Sequence, residues 1–87
     1  MEAKSIEASN QLTKYLLAIK ETVKTSEPGT LNFRIYQFED KLMLVEEYED
    51  EKALQAHLTS EAFKVFMEAV PSLTTGAPDL SYYREVL

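Results

Sequence analysis

His57 is the residue best suited to acid–base chemistry, and it is the single histidine of the chain. Its imidazole has an ordinary pKa near neutrality, so it can accept a phenolic or enolic proton or donate a hydrogen bond. The alternative is a structural histidine, packed on a sheet with its nitrogens bonded to backbone or to Glu46. A metal role is disfavoured, because the sequence has no second histidine to share the ion.

A dense acidic run precedes this histidine. Its members are Glu46, Glu47, Glu49, Asp50 and Glu51. Such a run can bind a hard cation. However, strand alternation points Glu46 and Glu47 to opposite faces, and the last three fall where a helix N-terminus favours negative charge. Glu46 shares its face with apolar residues. We therefore expect it to pair with His57 or Arg34, or to accept a proton with a raised pKa.

Aromatic side chains are candidates for a pocket wall. Packing in the core or an interface is the default role of such residues. The alternative is that Tyr48, Phe63 and Phe66 line an apolar pocket between helix and sheet that accepts a flat aromatic molecule. Arg34 could then orient a carboxylate or an enolate, although a single arginine on a strand is more often a surface or salt-bridging residue.

Composition excludes several classes of function. The formal charge of −6 and the scattered lysines and arginines argue against a nucleic-acid partner. No apolar stretch approaches the roughly 20 residues of a membrane span. Two separated glycines cannot form a phosphate-binding loop, and no Ser/His/Asp triad is discernible. The absence of cysteine and of a signal-peptide pattern favours a cytoplasmic location.

The spacing of apolar residues and the turn signals predict the secondary-structure elements that position these residues. We expect the elements to form a single domain, residues 1–87. Apolar residues at helical spacing predict a helix from Ser9 to about Ser26, capped by Ser9 or Asn10 and ended by Glu27-Pro28-Gly29. Alternation predicts a hairpin of strands Leu31–Phe38 and Leu42–Tyr48 around a Glu39-Asp40 turn.

The second half of the chain predicts a bent or two-part helix. It runs from Asp50 to Val70, with Asp50 and Ser60 as successive N-caps. A loop from Pro71 to Pro78 and a final strand, Leu80–Leu87, follow. The segment 1–8 offers little apolar surface, so a first strand there must be short.

The resulting order is βαββαβ, an α+β ferredoxin-like fold with helices on one face of an antiparallel sheet. Both faces of the predicted strands carry apolar residues, whereas two helices can cover only one face. The uncovered face predicts a homodimer in which two sheets pack together.

Three stretches in register resemble the antibiotic-biosynthesis-monooxygenase (ABM)-like family. They are the Glu27-Pro28-Gly29 turn, the Glu46-Glu47-Tyr48 strand end, and the helical stretch 53–63 that contains Ala56-His57, Ser60 and Phe63. The family's E-P-G turn, acidic-then-aromatic strand end and A-H-x-x-S-x-x-F helix match these positions. The resemblance implies a dimeric α/β barrel.

Family members oxygenate aromatic polyketides or quinols without a cofactor, degrade haem, or isomerise small metabolites, and many have no known activity. Haem-degrading members place a tryptophan where His57 stands and an iron-ligating histidine about where Met67 falls, so this chain does not fit that branch. The leading hypothesis is a cofactor-independent monooxygenase acting on a small aromatic or quinol-type metabolite, with His57 as base or hydrogen-bond donor. The alternatives are a non-catalytic dimeric binding or stress-response module and a cofactor-free isomerase or cyclase.

Overall fold

Five secondary-structure elements follow one another along residues 1–76, the part of the chain that the computed structural model describes. They are helix α1 (Ile6–Ser26), strand β1 (Thr30–Phe38), strand β2 (Lys41–Tyr48), helix α2 (Glu51–Leu58) and helix α3 (Glu61–Leu73). The strands form an antiparallel pair, and the helices pack on one face of it, an α+β arrangement consistent with the ferredoxin-like fold. The predicted last strand, Leu80–Leu87, lies outside the described residues.

Helix α1 begins three residues earlier than predicted. Ser5, not Ser9 or Asn10, is the N-cap, because its extended backbone lets the hydroxyl accept a hydrogen bond from the amide of Ala8. Ser9 instead lies fully buried and accepts a hydrogen bond from the Gln37 side chain at 2.9 Å. The buried stripe follows the predicted helical spacing. It consists of Leu12, Leu16, Ile19 and Val23.

The expected first strand is reduced to two isolated bridges. Glu2 pairs with Lys41 at the start of β2, and Ala3 pairs with Thr74 just after α3. The backbone amide of Leu42 donates to the carbonyl of Met1 at 2.9 Å. The N-terminal segment therefore lies between β2 and the end of α3, in agreement with a degenerate first strand.

The hairpin has its predicted turn and one unpredicted irregularity. Glu39 occupies the left-handed region at φ 54°, which lets the two-residue turn close between Phe38 and Lys41. A bulge between Thr30 and Asn32 removes Leu31 from the alternation. Strict alternation would put Leu31 on the same face as Phe33, but Leu31 is 55% exposed whereas Phe33 is buried.

The two-part helix is confirmed, with Asp50 capping α2 and Ser60 capping α3. The prediction that the loop begins at Pro71 is wrong, because α3 continues to Leu73. Proline disrupts the helical hydrogen bond to the fourth residue before it. Here the final turn is held by Thr74, whose amide and hydroxyl both donate to the carbonyl of Val70.

The hydrophobic core lies between α1, α3 and the sheet. Besides the α1 stripe it includes Ala3, Ala8, Phe33, Leu42, Phe66 and Val70. Helix α2 adds no apolar residue to this buried set; its one buried residue is His57. Within residues 1–76, no helix combines the length and the apolar character that crossing a membrane requires.

Candidate functional site

Helix α2 carries His57 into the space between the helices and the sheet. Asp50 sets the start of the helix, since its carboxylate accepts a hydrogen bond from the amide of Ala53 at 2.8 Å. Two turns later the inward face is occupied by His57, whose side chain is 2% exposed. The position of the ring is therefore a consequence of where α2 begins and which face it turns to the sheet.

Two carboxylates hold the imidazole from opposite sides. Nδ1 lies 2.9 Å from Oε1 of Glu27, and Nε2 lies 3.2 Å from Oε1 of Glu46. A neutral imidazole carries one N–H and would turn a lone pair towards one of these carboxylates. The geometry therefore favours the imidazolium form, in which both nitrogens donate.

Glu27 is the member of this cluster that the sequence analysis missed, since the Glu27-Pro28-Gly29 turn was given no chemical role. Its Oε1 also accepts a hydrogen bond from the Thr30 hydroxyl at 3.2 Å. Its Oε2 is buried and has no hydrogen-bond partner among the described residues. The sequence did indicate that Glu27 is buried, because position 27 follows Val23 by four residues and continues the buried stripe of α1.

Glu46 and Tyr48 lie on the helix-facing side of β2, as strand alternation predicts. The Tyr48 hydroxyl donates a short hydrogen bond to the same Oε1 of Glu46 that contacts His57. The Glu46 side chain retains 26% exposure, against 8% for Glu27 and 2% for His57. Of the three ionisable groups, Glu46 is thus the one that a small molecule can reach.

The pKa values of His57 and Glu46 shift in opposite directions from their ordinary values. Burial by itself would lower the pKa of His57, but hydrogen bonds and charge from Glu46 and Glu27 outweigh it and raise this pKa above its ordinary 6.5. Burial by itself would raise the pKa of Glu46, but the hydrogen bonds from His57 and Tyr48 and the imidazolium charge lower it below 4.5. The predicted pairing of Glu46 with His57 is present, and the direction of the Glu46 pKa shift is opposite to that of the raised-pKa alternative.

Three aromatic rings enclose the imidazole. The ring centroids of Tyr48 and Phe63 each lie 5.5 Å from that of His57, and the centroid of Phe33 lies at 5.7 Å, all tilted by about 50°. Rings at this range stabilise a cation through their quadrupoles. All five elements therefore meet at this cluster, which we call the His57 array: Glu27, His57, Glu46, Tyr48 and the rings of Phe33 and Phe63.

Two residues predicted for the pocket lie elsewhere. Phe66 is a core residue, 4% exposed, and its ring centroid lies 6.4 Å from that of Phe63. Arg34 pairs with Val45 on the opposite face of the sheet and lines a separate groove of about 280 Å³ between α1 and β1. Strand alternation separates Arg34 from the helix-facing Phe33. Nowhere in residues 1–76 are three histidine, aspartate or glutamate side chains placed to hold a metal ion.

A comparison with protein families matches residues 6–69 to the family described as antibiotic biosynthesis monooxygenase. The match spans about three quarters of the chain and reaches from the first residue of α1 into α3. The chain belongs to the ABM family. Comparisons with curated proteins and with solved structures gave no match. Every residue of the His57 array falls inside the matched ABM domain. The family includes monooxygenases and other cofactor-free proteins, so membership alone does not decide the activity.

Proposed function

We propose that this ABM protein is a cofactor-independent monooxygenase that acts on a small aromatic or quinol-type metabolite at the His57 array. The observation that supports the proposal is the placement of His57 between Glu27 and Glu46. Burying one imidazole against two carboxylates, one of them with an unsatisfied oxygen, costs folding free energy. Ionisable groups that are buried against one another and have shifted pKa values are typical of acid–base sites.

The first step is removal of a proton from a substrate hydroxyl or enol. The substrate donates to Glu46, the reachable carboxylate, and Glu46 passes the proton to Nε2 of neutral His57. The products of this step are a substrate anion and an imidazolium stabilised by both carboxylates. Because His57 must begin neutral, kcat/KM should rise as the pH rises through its raised pKa.

The oxygen step needs no cofactor, because the substrate supplies the electrons. The electron-rich anion passes electrons to molecular oxygen, and the ring carbon that is a CH₂ group in the keto form of the substrate becomes C=O. One oxygen atom enters the product, and the other leaves as water with the two hydrogens of the CH₂ group. Four electrons leave the substrate and four reduce the oxygen, so the reaction balances.

Oxygen uptake with a panel of anthrones, hydroquinones and dihydroxynaphthalenes tests the proposal. Glu46→Gln should lower uptake by about 100-fold or more, the usual cost of losing an acid–base group. Glu47→Gln is the matched control, since Glu47 is the adjacent residue of β2 and points to the opposite face. His57→Ala should also abolish uptake.

Equal uptake by the wild type and both glutamate variants would contradict the role of the array. Turnover that continues without oxygen would instead indicate the isomerase or cyclase alternative.

A non-catalytic binding module is the second candidate, and a specific observation favours it. Phe33, Tyr48 and Phe63 occupy the space around His57, which leaves the imidazole 2% exposed. Under this alternative the array is structural, no panel compound supports oxygen uptake, and none raises the melting temperature.

We also propose that the protein forms a homodimer through the sheet face that the helices leave uncovered. Tyr36, Phe38, Met43 and Val45 lie on this face and are 46–70% exposed. Together they form an apolar surface on two adjacent strands, and a second sheet packed on it would remove it from water.

A further inference from the structure

Helix α2 is attached to the rest of the described structure in an unusual way. Among residues 1–76, the hydrogen bonds that link residues 51–58 to residues outside 50–60 all come from the side chain of His57. These bonds go to Glu27 at the end of α1 and to Glu46 on β2. Helix α2 also buries no residue other than His57. One side chain therefore supplies the polar attachment of this helix and its one fully buried residue, while Ala53, Leu54 and Leu58 are partly buried.

The helix is also self-contained at both ends. Asp50 satisfies the amide of Ala53 at its start, and the amide and hydroxyl of Thr59 bond to the carbonyl of Gln55 at its end. A bend at residues 49–50 and a turn at residues 59–60 flank it. Helix α2 can thus move as a unit without losing a backbone hydrogen bond of its own, and flanking positions of this kind serve as hinges.

The rings beneath α2 would be uncovered by such a movement. Phe33 and Tyr48 belong to the sheet and Phe63 belongs to α3, and all three contact the imidazole. With His57 withdrawn, these rings and the carboxylate of Glu46 form an apolar recess with one polar end. That composition suits a flat aromatic molecule with a hydroxyl group.

We propose that α2 is a lid over this site, held closed by the two hydrogen bonds of His57 and opened to admit the aromatic ligand. The inference rests on the proposed function for the class of ligand. The lid opens to admit the substrate and closes to bring Nε2 of His57 back towards Glu46 for the proton transfer.

Closure depends on the protonation state of His57. The titratable groups that face the imidazole are Glu27 from α1 and Glu46 and Tyr48 from β2, whereas β1 and α3 contribute uncharged rings. The charged residues of α2 itself, Glu51 and Lys52, lie exposed in its first turn. Loss of the imidazolium proton removes one of the two donors and should favour the open lid.

The lid can be tested without any ligand by ¹⁵N relaxation dispersion of the backbone amides. In the wild type, amides 51–58 should share one exchange process. Glu27→Gln should raise its open population by about tenfold, because a hydrogen bond between charged groups is lost. Glu21→Gln, an exposed glutamate on the same helix, is the matched control and should change nothing. If Glu27→Gln does not fold, raising the pH of the wild type through the His57 pKa weakens the same contact.

Flat dispersion profiles across α2, or exchange spread equally over α1, β1 and α3, would overturn the lid. Binding of 2-naphthol, used as a probe, separates the lid from the proposed function. Faster association with Glu27→Gln than with Glu21→Gln supports the lid. Exchange confined to α2 together with no 2-naphthol binding also supports the lid, but counts against an aromatic substrate.

Discussion

The two ring nitrogens of His57 have different neighbours, and this difference separates their roles. Nδ1 faces Glu27, which is almost fully buried, whereas Nε2 faces Glu46, which remains partly exposed and also accepts the Tyr48 hydroxyl. A proton on Nδ1 is therefore held inside the fold. In the proposed mechanism, a proton on Nε2 exchanges with the substrate through Glu46, and Glu27 is a positioning residue that fixes which nitrogen faces the substrate.

The array should make stability depend on pH in a defined window. The folded pKa of His57 is above 6.5, so its contribution is complete below that value and is lost as the pH rises through the folded pKa. The folded pKa of Glu46 is below 4.5, so its contribution is present above that value and is lost as the pH falls through the folded pKa. The stabilisation is thus greatest between about pH 4.5 and 6.5.

NMR titration of the imidazole checks this prediction without ambiguity, because the chain has one histidine. The His57 pKa should lie above 6.5 in the wild type and fall in both Glu27→Gln and Glu46→Gln. Glu47→Gln should leave it unchanged. A wild-type pKa at or below 6.5 would show that burial outweighs the two carboxylates.

At the scale of elements, the turn between α1 and β1 and the first turn of α2 are built against each other. A Cβ atom at Gly29 would lie 2.6 Å from the Cβ of Ala53, far inside van der Waals contact. The backbone amide of Glu49 also donates to the carbonyl of Gly29 at 2.8 Å. The absence of a side chain at Gly29 therefore lets α2 approach closely enough for His57 to reach Glu27.

Gly29→Ala should destabilise the fold by about 1–3 kcal/mol, the usual cost of an overpacked contact. Ala53→Gly alone should cost about 1 kcal/mol through helix propensity. The double variant should lose less stability than the sum of the two, because the second change removes the clash created by the first. Urea unfolding measures the stability of all three variants. Gly76→Ala is the control, since a Cβ atom at Gly76 would meet no atom of the described residues within 4 Å beyond its chain neighbours. Strict additivity would show that the contact does not limit the docking of α2.

At the scale of the whole molecule, the two faces of the hairpin are used differently. The helix-facing side carries the core and the His57 array, while the other side keeps Tyr36 opposite Met43 at the surface. Phe38, 70% exposed, extends this surface towards the hairpin turn. An apolar surface of this kind on an otherwise acidic protein is typical of an interface.

Met43→Glu should therefore weaken the proposed dimer. A charge buried from each subunit should raise the dissociation constant by at least about 100-fold. Analytical ultracentrifugation over a concentration series measures the change. Leu17→Glu is the control, since Leu17 is 54% exposed but lies on α1, away from the proposed interface. A monomeric wild type, or equal weakening by both variants, would contradict an interface on this sheet face.

Periodicity and local chemistry determined the elements of this protein. The stripe of α1, the Glu39-Asp40 turn and the caps Asp50 and Ser60 depend on residues within a few positions of one another, so the sequence was sufficient to predict them. The Ser5 cap and the last turn of α3 were missed. The sequence predicted a short strand in segment 1–8 and a loop after Val70, whereas the structure pairs Ala3 with Thr74 beside both of these helix ends.

The site was only half determined by the sequence. Strand alternation placed Glu46 and Tyr48 on one face and made a contact with His57 predictable. Glu27 lies 30 positions from His57, and only the docking of α2 against the end of α1 brings the two together. From the sequence alone, a carboxylate beside a proline-glycine turn is expected to be solvated. The tertiary structure decided that it is buried, because the helix that covers it arrives from the other half of the chain.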